Sequence, residues 1–159
     1  MNHETLCWRI EAPIGPLVLA GDGDVLTHIR FHGDGDPSWR EAPEPFVDAI
    51  AQLRAYFAGE LTAFDLALRP QGTPFQQAVW KALLDIPYGE TTSYGAVAKL
   101  IGKPDAVRAV GAANGANPIP IVIPCHRVIG SSGKLTGFGG GLDVKEKLLR
   151  LESRQLRML

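Results

Sequence analysis

The first half of the chain alternates apolar and polar positions with a period of two, which is typical of half-buried β-strands. Leu6, Trp8 and Ile10 share one face of the first such stretch. Two more strands are predicted at 15–20 and 25–31, joined by the hairpin turn Gly21-Asp22-Gly23-Asp24. The pattern therefore predicts a small antiparallel sheet.

The apolar spacing then changes to the 3.6-residue period of a helix, which is predicted to end at Gly59. Its buried face is predicted to comprise Phe46, Ile50, Leu53 and Phe57. Residues 68–72 are predicted to form a linker. We therefore expect an N-terminal α/β domain over 1–70 and a second domain over 71–159.

The second domain is predicted to be mainly helical. Thr73-Pro74-Phe75-Gln76 fits a capping box with proline in the first helical position, and this helix is expected to end at Pro87. Its apolar face is predicted to comprise Phe75, Val79, Leu83 and Ile86. Helices over 93–101 and 104–114, separated by Gly102, form a helix-turn-helix pattern.

The 104–114 helix is poor in large side chains, and Arg108 is its one long cation. Its small residues are Ala106, Ala109, Gly111, Ala112 and Ala113. Small residues permit close helix packing, and they also suit a helix that lies against a nucleic-acid groove.

The most informative stretch is Ile119–Val128, in which prolines flank three apolar residues and Cys125-His126-Arg127 follows. Proline fixes φ and removes a backbone donor, so this run is predicted to be a stiff, buried, extended segment. His126 and Arg127 are expected to lower the pKa of Cys125, and the thiolate is the reactive form of cysteine. Cysteine can also be a purely structural core residue. Because such a residue needs no basic neighbours, we predict a nucleophile.

The glycine-rich stretch 130–141 follows the cysteine, but it departs from the Walker phosphate loop. Leu135 stands where Ser or Thr should follow the Gly-Lys pair. We predict a tight loop whose backbone N–H groups can approach a ligand closely. A last helix, capped by Asp143, is predicted to carry Val144, Leu148, Leu151 and Glu152.

Composition adds a charge asymmetry to this picture. Residues 1–73 carry a net charge of −6 and residues 74–159 a net charge of +5, which points to an anionic partner such as nucleic acid. Cys7 and Cys125 are the only cysteines and are expected to be free thiols. No apolar run reaches the roughly 20 residues that span a bilayer. The N-terminus also lacks a secretion-signal pattern, so a cytoplasmic location is expected.

With these motifs in this order, the chain closely resembles the O6-alkylguanine-DNA alkyltransferases. The resemblance is carried by Thr73–Gln76, Ile86–Glu90, Ser93–Gly95, Arg108–Gly111, Asn117-Pro118, Pro124–Val128 and Gly139–Gly141. It covers 73–152 without a gap, whereas 1–70 matches only in pattern. It implies an α/β (α+β) fold, in which a small ribonuclease H-like sheet with a helix precedes a mainly helical domain that carries the helix-turn-helix and the cysteine.

The activity that the resemblance implies is direct reversal of DNA damage. Such proteins flip an O6-alkylated guanine out of duplex DNA, and a cysteine takes the alkyl group in one displacement that consumes the protein. A soft thiolate suits attack at a saturated carbon, and guanine leaves more easily if a proton donor neutralises its developing charge. O4-alkylthymine is a second candidate lesion. No cofactor is implied.

The resemblance also assigns roles by matching position. Cys125 is the expected nucleophile, His126 its general base through a water, and Glu152 the residue that orients His126. Tyr94 is the expected acid toward guanine, and Arg108 is expected to fill the gap that the flipped base leaves. The resemblance adds Thr92, Ser93, Tyr94, Ala109, Gly111 and Ala112 to the DNA-binding surface. It places Asn117, which is also the expected hinge residue, Pro120, Val128, Phe138, Gly139 and Gly140 around the substrate.

Three features depart from the family pattern. Phe138 stands where tyrosine is frequent, so a phenol is lost, and Gly115 leaves the recognition helix without a basic residue that some members carry. Some members hold zinc in the N-terminal domain, but here only Cys7 is available. His28 and His32 would lie roughly 13 Å apart on one straight strand. We therefore predict no metal.

Three alternative functions stay open at this point. Alkyltransferase-like proteins recognise the same lesion without repairing it, but they replace the cysteine that Cys125 supplies. A cysteine hydrolase would leave the helix-turn-helix unexplained. A helix-turn-helix regulator would usually be a dimer that reads the major groove. No dimerisation element is evident in this sequence, and a monomer is expected.

Overall fold

The computed structural model describes residues 4–133 and 138–157. The chain divides into two compact units, and the boundary between them in the sequence falls between Pro70 and Gln71. The comparison with the Walker motif at Leu135 falls outside the described residues. Within them, no helix is long and apolar enough to cross a bilayer.

The N-terminal unit is built on a four-stranded sheet with the strand order β3-β2-β1-β4. Its strands are β1 (Leu6–Ile10), β2 (Leu17–Gly21), β3 (Leu26–Arg30) and β4 (Arg40–Glu41). The pairs β1–β2 and β2–β3 are antiparallel, which confirms the three predicted strands and their hairpin. The two-residue β4, which was not predicted, adds one parallel pair with β1 at the edge of this sheet. A strand this short leaves no periodic signal in the sequence.

The helix of this unit, α1, spans Val47–Phe57 and buries a face slightly rotated from the predicted one. Ala49, Leu53 and Tyr56 are buried, whereas Ile50 and Phe57 are only half-buried. The ring of Tyr56 packs 5.3 Å from those of both Phe57 and Phe64. A small alanine thus lies on the buried face, where the sequence pattern favoured the larger isoleucine.

The strand β3 ends at Arg30, and Phe31–Gly33 forms a 3-10 turn in which His32 has a φ of 60°. The straight-strand distance between His28 and His32 therefore does not apply. His28 instead contacts the ring of Trp39 at 5.2 Å, and the Arg30 guanidinium lies 4.6 Å from the same ring. Within the described residues, no group of three or more His, Cys, Asp or Glu could hold a metal ion.

The second unit begins with α2 (Pro74–Leu83), which starts in the predicted capping box. Gln76 N donates to Thr73 Oγ1 at 3.1 Å, and Thr73 N donates to Gln76 Oε1 at 2.9 Å. The helix ends before Pro87 because turn-type bonds replace the helical pattern at Asp85 and Ile86. The indole of Trp80, which the predicted apolar face omitted, is buried and donates to Ala113 O at 2.8 Å.

The helix-turn-helix consists of α3 (Tyr94–Leu100) and α4 (Val107–Gly115). Before it, β5 (Thr92–Ser93) pairs in parallel with β6 (Val128–Ile129). The helix α4 begins three residues later than predicted, since Lys103–Ala106 first forms a turn. The last helix, α5, spans Leu142–Arg157, and Asp143 lies in its first turn rather than at its cap.

The stretch Ile119–Val128 is fully buried, as predicted, but it is not simply extended. Ile121 has a φ of 74°, and Ile123 N donates back to Ile119 O at 3.0 Å. Cys125–Arg127 then forms a 3-10 turn. A left-handed conformation is rare for a β-branched residue, so the chain stores strain four residues before the cysteine.

This strain predicts an unusual order of stability among substitutions at Ile121. Both Ile121→Ala and Ile121→Gly lose a buried side chain, but we expect the glycine variant to be the more stable by about 1 kcal/mol, because glycine adopts positive φ freely. Urea unfolding measures both free energies. At the neighbouring Val122, whose φ is not positive, the alanine variant should be the more stable. The same order at both positions would contradict the assignment of strain to Ile121.

Candidate functional site

Cys125 lies at the start of the 3-10 turn, and its backbone is held on both sides. Cys125 N donates to Ile123 O at 2.8 Å, while Cys125 O accepts hydrogen bonds from Val128 N and, at 3.3 Å, from Asn114 Nδ2. The residue is only 4% exposed. The thiol is therefore fixed within the core of the second unit rather than carried on a mobile loop.

Asn117 closes the strained loop that leads to the cysteine. Its Oδ1 accepts from Ile119 N at 3.0 Å, and its Nδ2 donates to Ile123 O at 2.8 Å. The same side chain hydrogen-bonds Cys125 in a way that favours the thiolate. One amide thus fixes the loop and favours the charged form of the cysteine.

Burial raises the pKa of Cys125 to about 11, and the hydrogen bond from Asn117 and the charge of Lys145 only partly offset it. The expectation that His126 and Arg127 would lower this pKa was wrong. Only the backbone of His126 favours the thiolate, because both basic side chains engage Glu152 instead. The resting residue is a thiol at neutral pH, and a base must remove its proton.

The side chains of His126, Arg127 and Glu152 form one buried network. His126 Nε2 lies 2.7 Å from Glu152 Oε2. Arg127 donates to both carboxylate oxygens, from Nε to Oε1 at 2.8 Å and from Nη2 to Oε2 at 3.1 Å. Its Nη1 donates to Ile86 O at 2.7 Å. A carboxylate with both oxygens engaged by a guanidinium has little freedom to rotate.

The charges of this network follow from its hydrogen bonds. Burial alone would raise the pKa of Glu152, but its bonds to His126 and Arg127 outweigh burial and hold that pKa at about 2. Burial lowers the pKa of His126, and the charges of Arg127 and Lys145 add to this effect against the opposing pull of Glu152. Glu152 is therefore ionised and His126 neutral at pH 7.

A neutral His126 that donates its Nε2 proton to Glu152 carries a lone pair on Nδ1. This tautomer is assigned from the hydrogen-bond network. Within the described residues, Nδ1 is buried and has no hydrogen-bond partner. The arrangement resembles a nucleophile whose base is oriented by a third group.

Lys145 is a part of the site that the sequence analysis missed. This residue of α5 is fully buried, and its Nζ donates to Val128 O at 2.7 Å. Lys145, Leu148 and Glu152 follow the 3-then-4 spacing of one helix face, and all three are buried. That spacing was visible in the sequence, but a lysine in such a series is normally exposed.

The helix α4 links the buried turn to the surface. Val110, Ala113 and Asn114 are buried, whereas Arg108, Ala109 and Ala112 are exposed. On the inner face, Asn114 bonds the backbone of Cys125, a contact that the sequence analysis did not predict. The outer face presents small residues and one arginine, as predicted.

Tyr94, at the start of α3, is half-buried and packs beside α4. A Cβ on Gly111 would lie 3.9 Å from Tyr94 Cδ1, which is ordinary van der Waals contact, so the ring lies directly beside this part of α4. Ser93 caps α3 by accepting from Ala96 N at 3.1 Å, and Thr92 is paired with Val128. The predicted DNA-binding residues thus lie next to the strand that follows the cysteine turn.

The remaining predicted pocket residues come before and after residues 134–137 in the sequence. Pro120 and Val128 are buried. Phe138 is half-buried, Gly139 is exposed, and Gly140 is buried in the turn that leads into α5. Phe138 O accepts from Gly141 N at 2.9 Å.

Comparisons with known proteins match both units. The family model "6-O-methylguanine DNA methyltransferase, ribonuclease-like domain" matches residues 6–70, and "6-O-methylguanine DNA methyltransferase, DNA binding domain" matches residues 74–154. The methylated-DNA–protein-cysteine methyltransferase of Mycobacterium tuberculosis is 61% identical over 147 residues, which cover 90% of this chain and 89% of that protein. The protein of the same name from Methanosarcina acetivorans is 56% identical and covers 89% and 94%. The crystal structure of Mycobacterium tuberculosis OGT in complex with DNA has a TM-score of 0.89 at 59% identity and covers 92% of each chain.

The buried network predicts that the protein is sensitive to acid in two steps. The folded pKa of His126 lies below its unfolded value of 6.5, so stability should begin to fall as the pH drops below 6.5. The folded pKa of Glu152 is about 2 against an unfolded value of 4.5, so its contribution should be lost between these values. Urea unfolding from pH 7 to pH 3 should show a loss of roughly 2 kcal/mol from Glu152, most of the roughly 3 kcal/mol that this carboxylate contributes.

The variant Glu152→Gln should lack the part of the loss below pH 4.5 that comes from Glu152 and keep the loss that comes from His126. Glu146→Gln is the matched control, because Glu146 forms an exposed ion pair with Arg150 on the same helix and should keep the wild-type acid profile. Parallel profiles for wild type and Glu152→Gln would show that Glu152 does not have a depressed pKa.

Proposed function

This chain belongs to the 6-O-methylguanine DNA methyltransferase family, and we propose that it transfers the alkyl group of O6-alkylguanine in duplex DNA to Cys125. It is a methylated-DNA–protein-cysteine methyltransferase, which repairs DNA by direct reversal and is consumed in the reaction. The residue assignment rests mainly on the buried 3-10 turn, in which Cys125 is followed directly by His126, and His126 is hydrogen-bonded to Glu152. Lesion binding without repair is less well supported, because a cysteine occupies the nucleophile position.

DNA binding is assigned to the outer face of the helix-turn-helix. The small residues of α4 let its backbone approach a minor groove closely, and the exposed Arg108 can enter the base stack. Flipping a nucleotide costs a few kcal/mol, and the cost is least for a damaged pair. An arginine that occupies the gap stabilises the flipped state. Thr92, Ser93, Ala109, Gly111 and Ala112 complete this surface.

The chemical step begins with the proton of Cys125, because burial keeps the resting residue a thiol. The Nδ1 lone pair of His126 accepts this proton through a water, and Glu152 holds the resulting imidazolium. The sulfur then attacks the alkyl carbon, an S–C bond forms, and the C–O6 bond breaks. Tyr94 donates a proton to the leaving guanine, so the products are an S-alkylcysteine and a neutral base.

The substrate pocket is assigned to Asn117, Pro120, Val128, Phe138, Gly139 and Gly140. Asn117 has a second task as the hinge residue, because it fixes the loop between α4 and the cysteine turn. O4-alkylthymine is a second lesion that the same displacement chemistry would accept. One chain supplies every assigned residue, so we propose a monomer that binds one lesion, with the cytoplasm as its location.

The direct test of this proposal is the reaction with excess duplex that contains O6-methylguanine. Intact mass and peptide mapping should show one methyl group per protein, and it should lie on Cys125. Cys125→Ala should gain no methyl group yet still bind the lesion, whereas Cys7→Ala, which removes the other thiol, should react like wild type. Wild-type protein that binds the lesion tightly but gains no mass would be a recognition protein instead.

The role of Arg108 can be tested separately from the chemistry. Arg108→Ala should slow repair in duplex DNA at least tenfold, because the flipped state loses the side chain that fills the gap. It should leave the reaction with free O6-benzylguanine unchanged, since a free base needs no flipping. Lys147→Ala removes an exposed cation from α5 and is the matched control for charge. Equal losses on both substrates would make Arg108 a structural residue.

A further inference from the structure

The full burial of Lys145 is the feature of the second unit that the reaction described so far does not use. Its exposed fraction is 0%, in a residue type that is almost never fully buried. Removing an ammonium group from water is costly, and the cost is recovered only through hydrogen bonds or charge. The hydrogen bond from Nζ to Val128 O, at 2.7 Å, is one such compensation.

That hydrogen bond places the ammonium group beside the turn that carries the nucleophile. Val128, whose carbonyl accepts from Lys145, is also the residue whose N–H donates to Cys125 O. Glu152 lies seven residues further along the same face of α5, about 10 Å away along the helix axis. The helix therefore presents a cation to Val128, the residue that follows the turn, and an anion to His126 and Arg127 within it.

The charged groups around the turn act in different directions. Arg127 and Glu152 are bonded to each other, and His126 is bonded to Glu152. Lys145 is the charged side chain that lowers the pKa of Cys125, against a larger increase caused by burial. Burial in turn lowers the pKa of Lys145, and Cys125 raises it. The sulfur and the ammonium group thus favour each other's charged forms.

We propose that the buried ammonium group of Lys145 stabilises the thiolate of Cys125 during alkyl transfer. Lys145 keeps its proton throughout, and the proton of Cys125 leaves toward His126. The positive charge of Lys145 opposes the negative charge that appears on the sulfur. As the S–C bond forms, this negative charge passes to the guanine, where the proton from Tyr94 neutralises it. The inference rests on the proposed function only in that Cys125 is the nucleophile.

The alternative is that Lys145 serves only to anchor α5 through Val128 O. Two substitutions separate the charge from the hydrogen bond. Lys145→Gln keeps a side-chain donor but removes the charge, whereas Lys145→Arg keeps the charge on a larger head group. An anchoring role predicts that the reactivity of the Cys125 thiol at neutral pH is the same in both variants. A thiolate-stabilising role predicts that only Lys145→Gln changes it.

The decisive experiment is the rate at which iodoacetamide alkylates Cys125 at neutral pH, where Lys145 carries its charge, because this rate is proportional to the thiolate fraction. Peptide mapping distinguishes Cys125 from Cys7. In Lys145→Gln, the rate should fall roughly tenfold or more. Lys145→Arg should restore most of the wild-type rate. Equal rates in wild type and Lys145→Gln would overturn the proposal, even if the rate of alkyl transfer from DNA falls.

A titration of Lys145 keeps the proposal testable if Lys145→Gln does not fold. Coupling between two sites is reciprocal, so a permanent negative charge at position 125 should raise the pKa of Lys145. NMR of the lysine Cε carbons should therefore show a higher midpoint for Lys145 in Cys125→Asp than in the neutral, equally large Cys125→Asn. Identical midpoints would refute the coupling. Neither experiment requires alkyl transfer from DNA, so failure of the proposed function would appear separately, as the absence of a methyl group on Cys125.

Discussion

The carboxylate of Glu152 is the group on which the geometry of the site depends. It accepts from Arg127 with both oxygens and from His126 with one of them, at distances between 2.7 and 3.1 Å. The three side chains are almost entirely removed from water. Loss of any one of them would leave an unpaired buried charge or donor, which is strongly destabilising. The same hydrogen bonds therefore hold α5 against the cysteine turn and orient the His126 imidazole.

In the proposed mechanism, this arrangement keeps Cys125 as a thiol at rest, and the reactive thiolate forms only at the time of alkyl transfer. A cysteine with a pKa of about 11 is a thiol at neutral pH and is a poor target for stray electrophiles. In the proposed mechanism, the neutral His126, whose tautomer is set by its hydrogen bond to Glu152, removes the proton, and groups within the fold oppose the charge on the sulfur. For a protein that reacts once, a resting thiol protects the one reactive cysteine from side reactions before a lesion is bound. The same low-dielectric surroundings that raise the pKa strengthen every hydrogen bond and charge around the turn.

Local sequence rules accounted for the elements whose signals are local. The capping box at Thr73, the hairpin at Gly21–Asp24 and the helix pair beside Arg108 all follow from side chains that act on their own backbone. Cys125 and His126 stood out in the sequence because the motif Pro124–Val128 contains them, whereas Glu152 was expected only from the family resemblance.

Features that depend on distant contacts could not be read in this way. The neighbours of Cys125 in sequence suggested a lowered pKa, but folding turns the Arg127 side chain and the His126 ring toward a carboxylate 25 and 26 residues away. Ile121 adopts a positive φ because Asn117 and the flanking prolines hold the loop, and no property of isoleucine signals that conformation. In the sequence, Lys145 has the pattern of a surface lysine, and its burial follows only from the packing of α5 in the folded protein.

The most direct test of this account is the protonation state of His126 at neutral pH, read from the 15N shifts of its ring and assigned by comparison with His126→Gln. The account predicts a neutral ring with its proton on Nε2, toward Glu152, and an unprotonated Nδ1. An imidazolium, or a neutral ring with its proton on Nδ1, would contradict it, because Nδ1 would then have no lone pair with which to take the proton of Cys125.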